Sequence, residues 1–167
     1  SSSDSAAVDK MLKSLKKITY ANYKAEKGNV EAARAAYNAL DAEGKQKIAA
    51  ADLKKLTDAE AQIKFYSEID GGTDLGAEQT VSIEQGSSVS SIATQLKDAG
   101  VIQYDWLFKQ YVKYSGKAGE IQYGDFEVQS GMAYNDIIKA LSVVTRRATI
   151  NVTIPEGTTA VGVAQIF

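Results

Sequence analysis

Three stretches of this chain lie on one template: "VSIEQGSSVSSIATQL" (81–96), "FEVQSGMAYNDIIKAL" (126–141) and "VTIPEGTTAVGVAQIF" (152–167) align without a gap. In each, two strand-type residues flank a polar one: Val81 and Ile83, Phe126 and Val128, Val152 and Ile154. A glycine follows three residues after the second, at Gly86, Gly131 and Gly157. Apolar residues then recur six, seven and ten places beyond it: Ile92, Ala93 and Leu96; Ile137, Ile138 and Leu141; Val163, Ala164 and Phe167. Alternation buries one face of a strand, and the later spacing lays one face of a helix. Glycine permits the positive φ that a tight strand-to-helix turn needs. Ser88, Asn135 or a Thr at 158–159 is placed to cap the helix that follows. The repeated unit is therefore strand, turn, helix.

The first two copies are joined by a second helix. Gly100, in "KDAGVI", sits where a helix C-cap belongs. In "YDWLFKQYVKYSGKAGEIQYGD" (104–125), Leu107, Phe108, Tyr111, Val112 and Tyr114 share an apolar helix face. Trp106 falls with Gln110 and Lys113 on the more polar side. "SGKAGEIQYG" reads as a loop into a strand at 121–128. The order is β-α-α-β-α-β, with a last helix begun.

Residues 6–66 follow a different grammar, rich in Ala and Lys, with Gly only at 28 and 44. Val8, Met11, Leu12 and Leu15 keep helical spacing. So do Val30, Ala33, Tyr37 and Leu40, and then Leu53, Leu56, Ile63 and Phe65. Breaks at "KGN" (27–29) and "DAEGK" (41–45) predict helices over 6–17, 29–40 and 52–66, with an irregular stretch at 18–28. The "SEIDGGTDLGAEQ" cluster (67–79) then ends all periodicity. The expected organisation is an antiparallel helical bundle over 1–67, a linker at 68–79 and a second module over 80–167, in the α+β class.

Composition narrows the chemistry. Without His or Cys, the chain has no Ser-His dyad, Cys nucleophile or usual transition-metal ligand set. A net charge of −2 lacks the basic footprint of a nucleic-acid binder. No apolar run reaches the length of a membrane span. "SSSDSAAVD" reads as a polar leader ahead of a helix, as would remain if an export segment had been removed.

Two resemblances rest on these residues. "VEAARAAYNALDAEGKQKIAAADLKKLTDAEAQI" resembles the small helical repeats of Gram-positive surface proteins, through Arg34, Tyr37, Leu40, Leu56, Ala59 and Glu60. That implies an extracellular spacer. The β-α-α-β order with a Gly-Ser-Ser-Val-x-x-Ile-Ala turn resembles LysM modules, small domains that bind N-acetylglucosamine-containing glycans. The usual turn there reads Gly-Asp-Thr-Leu. Over residues 80–167, "IATQLKDAGVI", "LFKQYVKYSG", "GDFEVQSGMAYNDIIKAL" and "VTIPEG" resemble, in order and spacing, the N-terminal part of the YceG-like endolytic transglycosylases. Members of that family are anchored in the cytoplasmic membrane and cut nascent peptidoglycan. Their catalytic Glu lies beyond "IPEG", in an Ile-Glu-Lys/Arg-Glu type stretch with no counterpart here.

The resemblance implies a peptidoglycan-binding or scaffolding module without catalysis, cofactor or metal. It is expected to act outside the cytoplasmic membrane of a Gram-positive cell, held there through a segment not in this chain. In LysM modules the glycan lies between the first strand–helix turn and the loop before the second strand. Those positions here are Gln85, Gly86, Ser87, Ser88 and Val89, with Lys117, Ala118, Gly119 and Glu120. Gly86 and Ser88 equally serve the turn and the cap alone. Tyr104 and Trp106 are candidates for stacking on a sugar, or Trp106 for packing against the helical half. Arg146-Arg147 suits a wall phosphate or a lipid headgroup, or simply a solvated loop. Glu84, Asp125, Glu127 and Glu156 lie near strand turns, as some of 21 acidic residues must, so no catalytic residue is assigned. The rival to glycan binding is a protein–protein module of a cell-wall synthesis or division complex.

Overall fold

The computed structural model describes residues 2–143 except Thr73. The third repeat, Arg146-Arg147, Glu156 and the candidate caps at 158–159 lie outside the described residues. The chain divides after Asp70 into two compact units. No helix among the described residues is long and apolar enough to cross a membrane.

The first unit is helical: α1 (Ser2–Lys13), α2 (Tyr23–Asn38), the short α3 (Ala42–Gln46) and α4 (Ala50–Asp70). Val8, Leu12, Ile18, Tyr23, Val30, Ala33, Leu56 and Ile63 are buried together in its core. The predicted break at "KGN" is absent, and α2 runs straight through Gly28. A Cβ at Gly28 would meet nothing, so this glycine answers no steric demand. It costs a helix about 1 kcal/mol relative to Ala. Burial of Tyr23, Val30 and Ala33 along one face outweighs that. The second break does mark a boundary: the Asp41 carboxylate accepts from the Gly44 N–H at 2.7 Å and caps α3. Between α1 and α2 the chain turns on Asn22, whose amide accepts from the Thr19 N–H at 2.8 Å and donates to the Lys17 carbonyl at 2.9 Å. Residues 67–70, expected to lead into a linker, continue α4.

Three polar ties cross this unit. The Arg34 guanidinium donates through Nε and Nη2 to both oxygens of Glu60, at 2.8 and 2.7 Å, joining α2 to α4. Lys13 donates to Asp52 at 2.9 Å and holds that carboxyl below its ordinary range. At the far end of α4, the Tyr20 and Tyr23 hydroxyls each donate to one oxygen of Asp70. Their rings and that of Tyr66 have centroids 5.6–5.9 Å apart.

Burial, and then the Asp70 carboxylate, push the Tyr23 phenol well above its ordinary value of about 10. The fold therefore favours the protonated phenol. Above about pH 10 the unfolded chain releases a proton that the folded chain keeps, so stability falls as pH rises. Below that pH the contribution is complete. The thermal midpoint, followed by circular dichroism, is expected to drop above about pH 10, and to drop less steeply in Tyr23→Phe.

The second unit runs β1 (Gln79–Ile83), α5 (Val89–Asp98), α6 (Asp105–Ser115), a 3-10 turn (Ala118–Glu120), β2 (Gly124–Val128) and α7 (Tyr134–Ser142). The strands pair antiparallel, Val81 opposite Phe126 and Ile83 opposite Gly124. Val81, Ile83, Phe126 and Val128 are buried on one face. The other face is polar: Thr80 donates to Glu127, and Ser82 donates to Asp125 at 2.7 Å. With its helices and this small antiparallel sheet the chain is α+β.

Helices α5, α6 and α7 bring Ile92, Leu96, Phe108, Val112, Ile137 and Ile138 to the core. Phe108 and Tyr111 meet the buried ring of Tyr134 edge-on, at 5.1 and 5.8 Å. Gly100 and Gly116 end α5 and α6 with positive φ, and the Val101 and Lys117 N–H groups reach back to Leu96 and Val112. Strand β2 begins at Gly124 rather than at 121. Asn135 does not cap α7: Ala133 holds that position, and the Asn135 side chain accepts from Lys117 instead.

The two repeats share their backbone and differ in what surrounds it. Gly86 and Gly131 both carry positive φ, 83° and 87°. A Cβ on Gly86 would meet nothing within 4 Å, whereas one on Gly131 would lie 2.4 Å from the Asp74 carbonyl oxygen. Gly86→Ala is expected to cost about 1 kcal/mol for its left-handed backbone. Gly131→Ala is expected to cost about 3 kcal/mol or more, because a backbone atom must also move. Urea unfolding of the two variants measures the difference.

Candidate functional site

The antiparallel register fixes where the candidate residues stand. Ile83, the last residue of β1, pairs with Gly124, the first of β2. The turn that leaves β1 and the loop that enters β2 therefore emerge at the same end of the sheet. The turn at 85–89 and Tyr123, just ahead of β2, stand at that end. The 3-10 turn at Ala118–Glu120 instead lies along α7, with Lys117 bonded to Asn135 in the first turn of α7 and the Gln122 N–H donating to the Leu141 carbonyl at 2.9 Å.

The turn is built largely by its own side chains. The Ser87 N–H and hydroxyl both donate to the Glu84 carbonyl, at 3.1 and 2.7 Å. Gly86 supplies the positive φ. The Ser88 hydroxyl accepts from the Ser91 N–H at 3.1 Å and caps α5. That leaves Gln85 and Gly86 exposed, with no backbone bond to their carbonyls among the described residues. In the loop, Lys117 is half-buried and spent on Asn135. Ala118, Gly119 and Glu120 are exposed, in a 3-10 turn closed by the Glu120 N–H on the Lys117 carbonyl at 3.0 Å.

The aromatic candidates divide. Tyr104 and Trp106 lie side by side, with centroids 6.1 Å apart and Trp106 45% exposed. They stand at the N-terminal end of α6, whereas Lys117 follows its C-terminal end. A helix of 11 residues at about 1.5 Å each sets those ends about 16 Å apart. Two other rings are closer in the chain to the loop. Tyr123 immediately precedes β2 and is 56% exposed. Tyr114, placed by helical spacing on the apolar face, is 81% exposed in the last turn of α6. An aromatic one residue ahead of a strand-initiating glycine was the available signal for Tyr123.

The carboxylates near the sheet are exposed. Asp125 and Glu127 lie on its polar face, each accepting from a hydroxyl on the opposite strand. Among the described residues no group of three or more Asp or Glu side chains is gathered as a metal site would require.

The counterpart turn, between β2 and α7, shows what such a turn can receive. The Gly72 N–H donates to the Gly131 carbonyl at 2.8 Å, and the Gly76 N–H donates to the Ser130 carbonyl at 2.9 Å. The Gln129 side-chain amide returns a bond to the Gly76 carbonyl at 2.9 Å. A strap of the chain's own backbone thus docks on the second turn. Gln85 and Gly86, the equivalents of Ser130 and Gly131, accept no such bonds among the described residues.

Comparison with known proteins matches the model of the YceG-like family to residues 81–167. A protein named endolytic murein transglycosylase from Bacillus subtilis is 38% identical over 77 residues, which are 46% of this chain and 21% of the relative. One of the same name from Streptococcus pneumoniae is 32% identical over 91 residues, 52% of this chain and 16% of the relative. The chain thus spans about a fifth or less of the relatives it matches. A crystal structure of a yceG-like protein from Listeria monocytogenes is 34% identical, with a TM-score of 0.39, and covers 40% of this chain and 22% of that one.

Ser88→Ala is expected to lower stability by about 1 kcal/mol through loss of the α5 cap, with Ser88→Asp restoring most of it. Chemical denaturation followed by circular dichroism measures both.

Proposed function

Since this chain belongs to the YceG-like family, we propose that its second unit is a LysM-like, non-catalytic module that holds peptidoglycan strands outside the cytoplasmic membrane. The strand is gripped at the turn Gln85–Val89, the end of the sheet that Ile83 and Gly124 share, with Ala118–Glu120 as the candidate second wall. The ligand class is an N-acetylglucosamine-containing glycan. Tyr123 is the ring best placed to lie against a sugar face.

One observation carries this reading. The second turn is occupied by backbone amides, while the matching first turn is open. An acetamido group offers the same N–H and C=O as a peptide bond. A turn whose twin takes up amides through its carbonyls is suited to receive N-acetyl groups in the same way. The relatives, named murein transglycosylases, point to the polymer that carries such groups.

Sedimentation with insoluble peptidoglycan sacculi tests the reading. The chain is expected in the pellet, and Gln85→Ala, which touches neither the Gly86 backbone nor the Ser88 cap, is expected to shift it toward the supernatant with its circular dichroism unchanged. Tyr123→Ala is expected to weaken pelleting without affecting stability, because the ring is exposed. A wild-type chain that stays in the supernatant would transfer the assignment to docking of another cell-wall synthesis protein.

A further inference from the structure

The helical unit carries a groove that the reading above does not use. It lies between the α1–α2 connection and one face of α4, open to solvent along its length, with a volume of about 810 Å³. Its floor includes Ile18 and Ala59, both buried, and at one end the half-buried Phe65 and Tyr66. Its rim carries Lys16, Lys17 and Lys55, all exposed.

The charges of this rim are unbalanced. The single carboxylate of the lining, Asp58, is already paired with Lys54 at 2.6 Å. Lys16 reaches Glu26 only at 3.8 Å. Lys55 donates to the Lys13 carbonyl at 2.7 Å, which holds the ammonium in place without neutralising it. Lys17 forms no ion pair among the described residues. Lys17 and Lys55, in no ion pair among the described residues, and Lys16, shared with Glu26, thus border a floor of small and aromatic apolar groups. A matching ligand is anionic and bears apolar groups.

We infer that this groove binds the carboxylate-bearing stem peptide of peptidoglycan. The inference rests on the reading that the second unit holds the glycan of the same polymer. Carboxylates meet the lysine rim, and alanyl methyl groups meet the floor. The two units would then contact chemically distinct parts of one ligand, the glycan and its peptide.

The test uses the full chain and three probes: a free stem tetrapeptide, the same peptide with its carboxylates amidated, and glycan stripped of peptide. Binding is read by calorimetry and by amide chemical shifts. The free-carboxylate peptide is expected to bind, to weaken with added salt and to bind about fivefold less tightly in Lys17→Gln/Lys55→Gln. The amidated peptide is expected to bind no better than that variant does. Stripped glycan is expected to be indifferent to the lysine changes. Equal affinity for the two peptides, or shifts confined to the second unit, would overturn the inference while leaving the glycan reading intact. Peptide binding without any glycan binding would retain the groove and remove the glycan reading. Lysine-dependent binding to vesicles of anionic phospholipid, with none to peptide, would also overturn it, because the rim would then be reading a lipid surface. If Lys17→Gln/Lys55→Gln melts earlier than the wild type, Lys16→Gln/Lys17→Gln, which leaves the Lys55–Lys13 bond in place, carries the same comparison.

Discussion

A two-stranded sheet cannot stabilise itself in water, and the second unit is arranged around that fact. Val81, Ile83, Phe126 and Val128 form a single apolar face that must be covered. Helices α5 and α7 pack on β1 and β2, α6 packs in turn on α5, and α5 and α7 must start close to the strands they cover. The tight glycine turns after β1 and β2 follow from this. Each redirects the chain within a few residues, so that Ile92 or Ile137 lands on the strand just left. Because the strands are antiparallel and joined through two helices, the first turn and the loop before β2 share one end. The candidate site is thus a by-product of covering a small sheet.

The first unit depends on helix faces instead. Its core is drawn from all three longer helices and from Ile18 in the connection. The polar ties lie at the margins of that core. They fix which helix faces meet through pairs whose geometry is specific, such as the two-pronged Arg34–Glu60 contact.

Much of the second unit was legible because its sequence states one pattern more than once. The alternation in β1 and β2, the positive φ at Gly86 and Gly131 and the cap at Ser88 all follow from local rules that tertiary packing did not override. Where packing decided, the sequence misled. Gly28 looked like a break, yet burial of its neighbours carried α2 through it. Tyr114 kept apolar spacing, yet the face of α6 that packs is set by Phe108 and Val112. Asn135 had the right chemistry for a cap but stands two residues past the cap position, Ala133, and it bonds Lys117 instead. The strap was the least visible feature. "GGTDLG" reads as a flexible connector, and only the close approach of Gly71 and Gly76 to the second turn explains its glycines.

The strap also makes the two turns unequal as sites of sequence change. At position 131 both the left-handed backbone and the missing side chain are required, so glycine is the sole residue that fits. At position 86 only the backbone is constrained, and asparagine or aspartate, which visit the left-handed region at modest cost, can replace it. Of the two turns, one is thus held by the chain's own backbone and the other is left open to a ligand. A side chain at position 86 would therefore act on whatever the open turn receives, whereas one at position 131 would act on the fold itself.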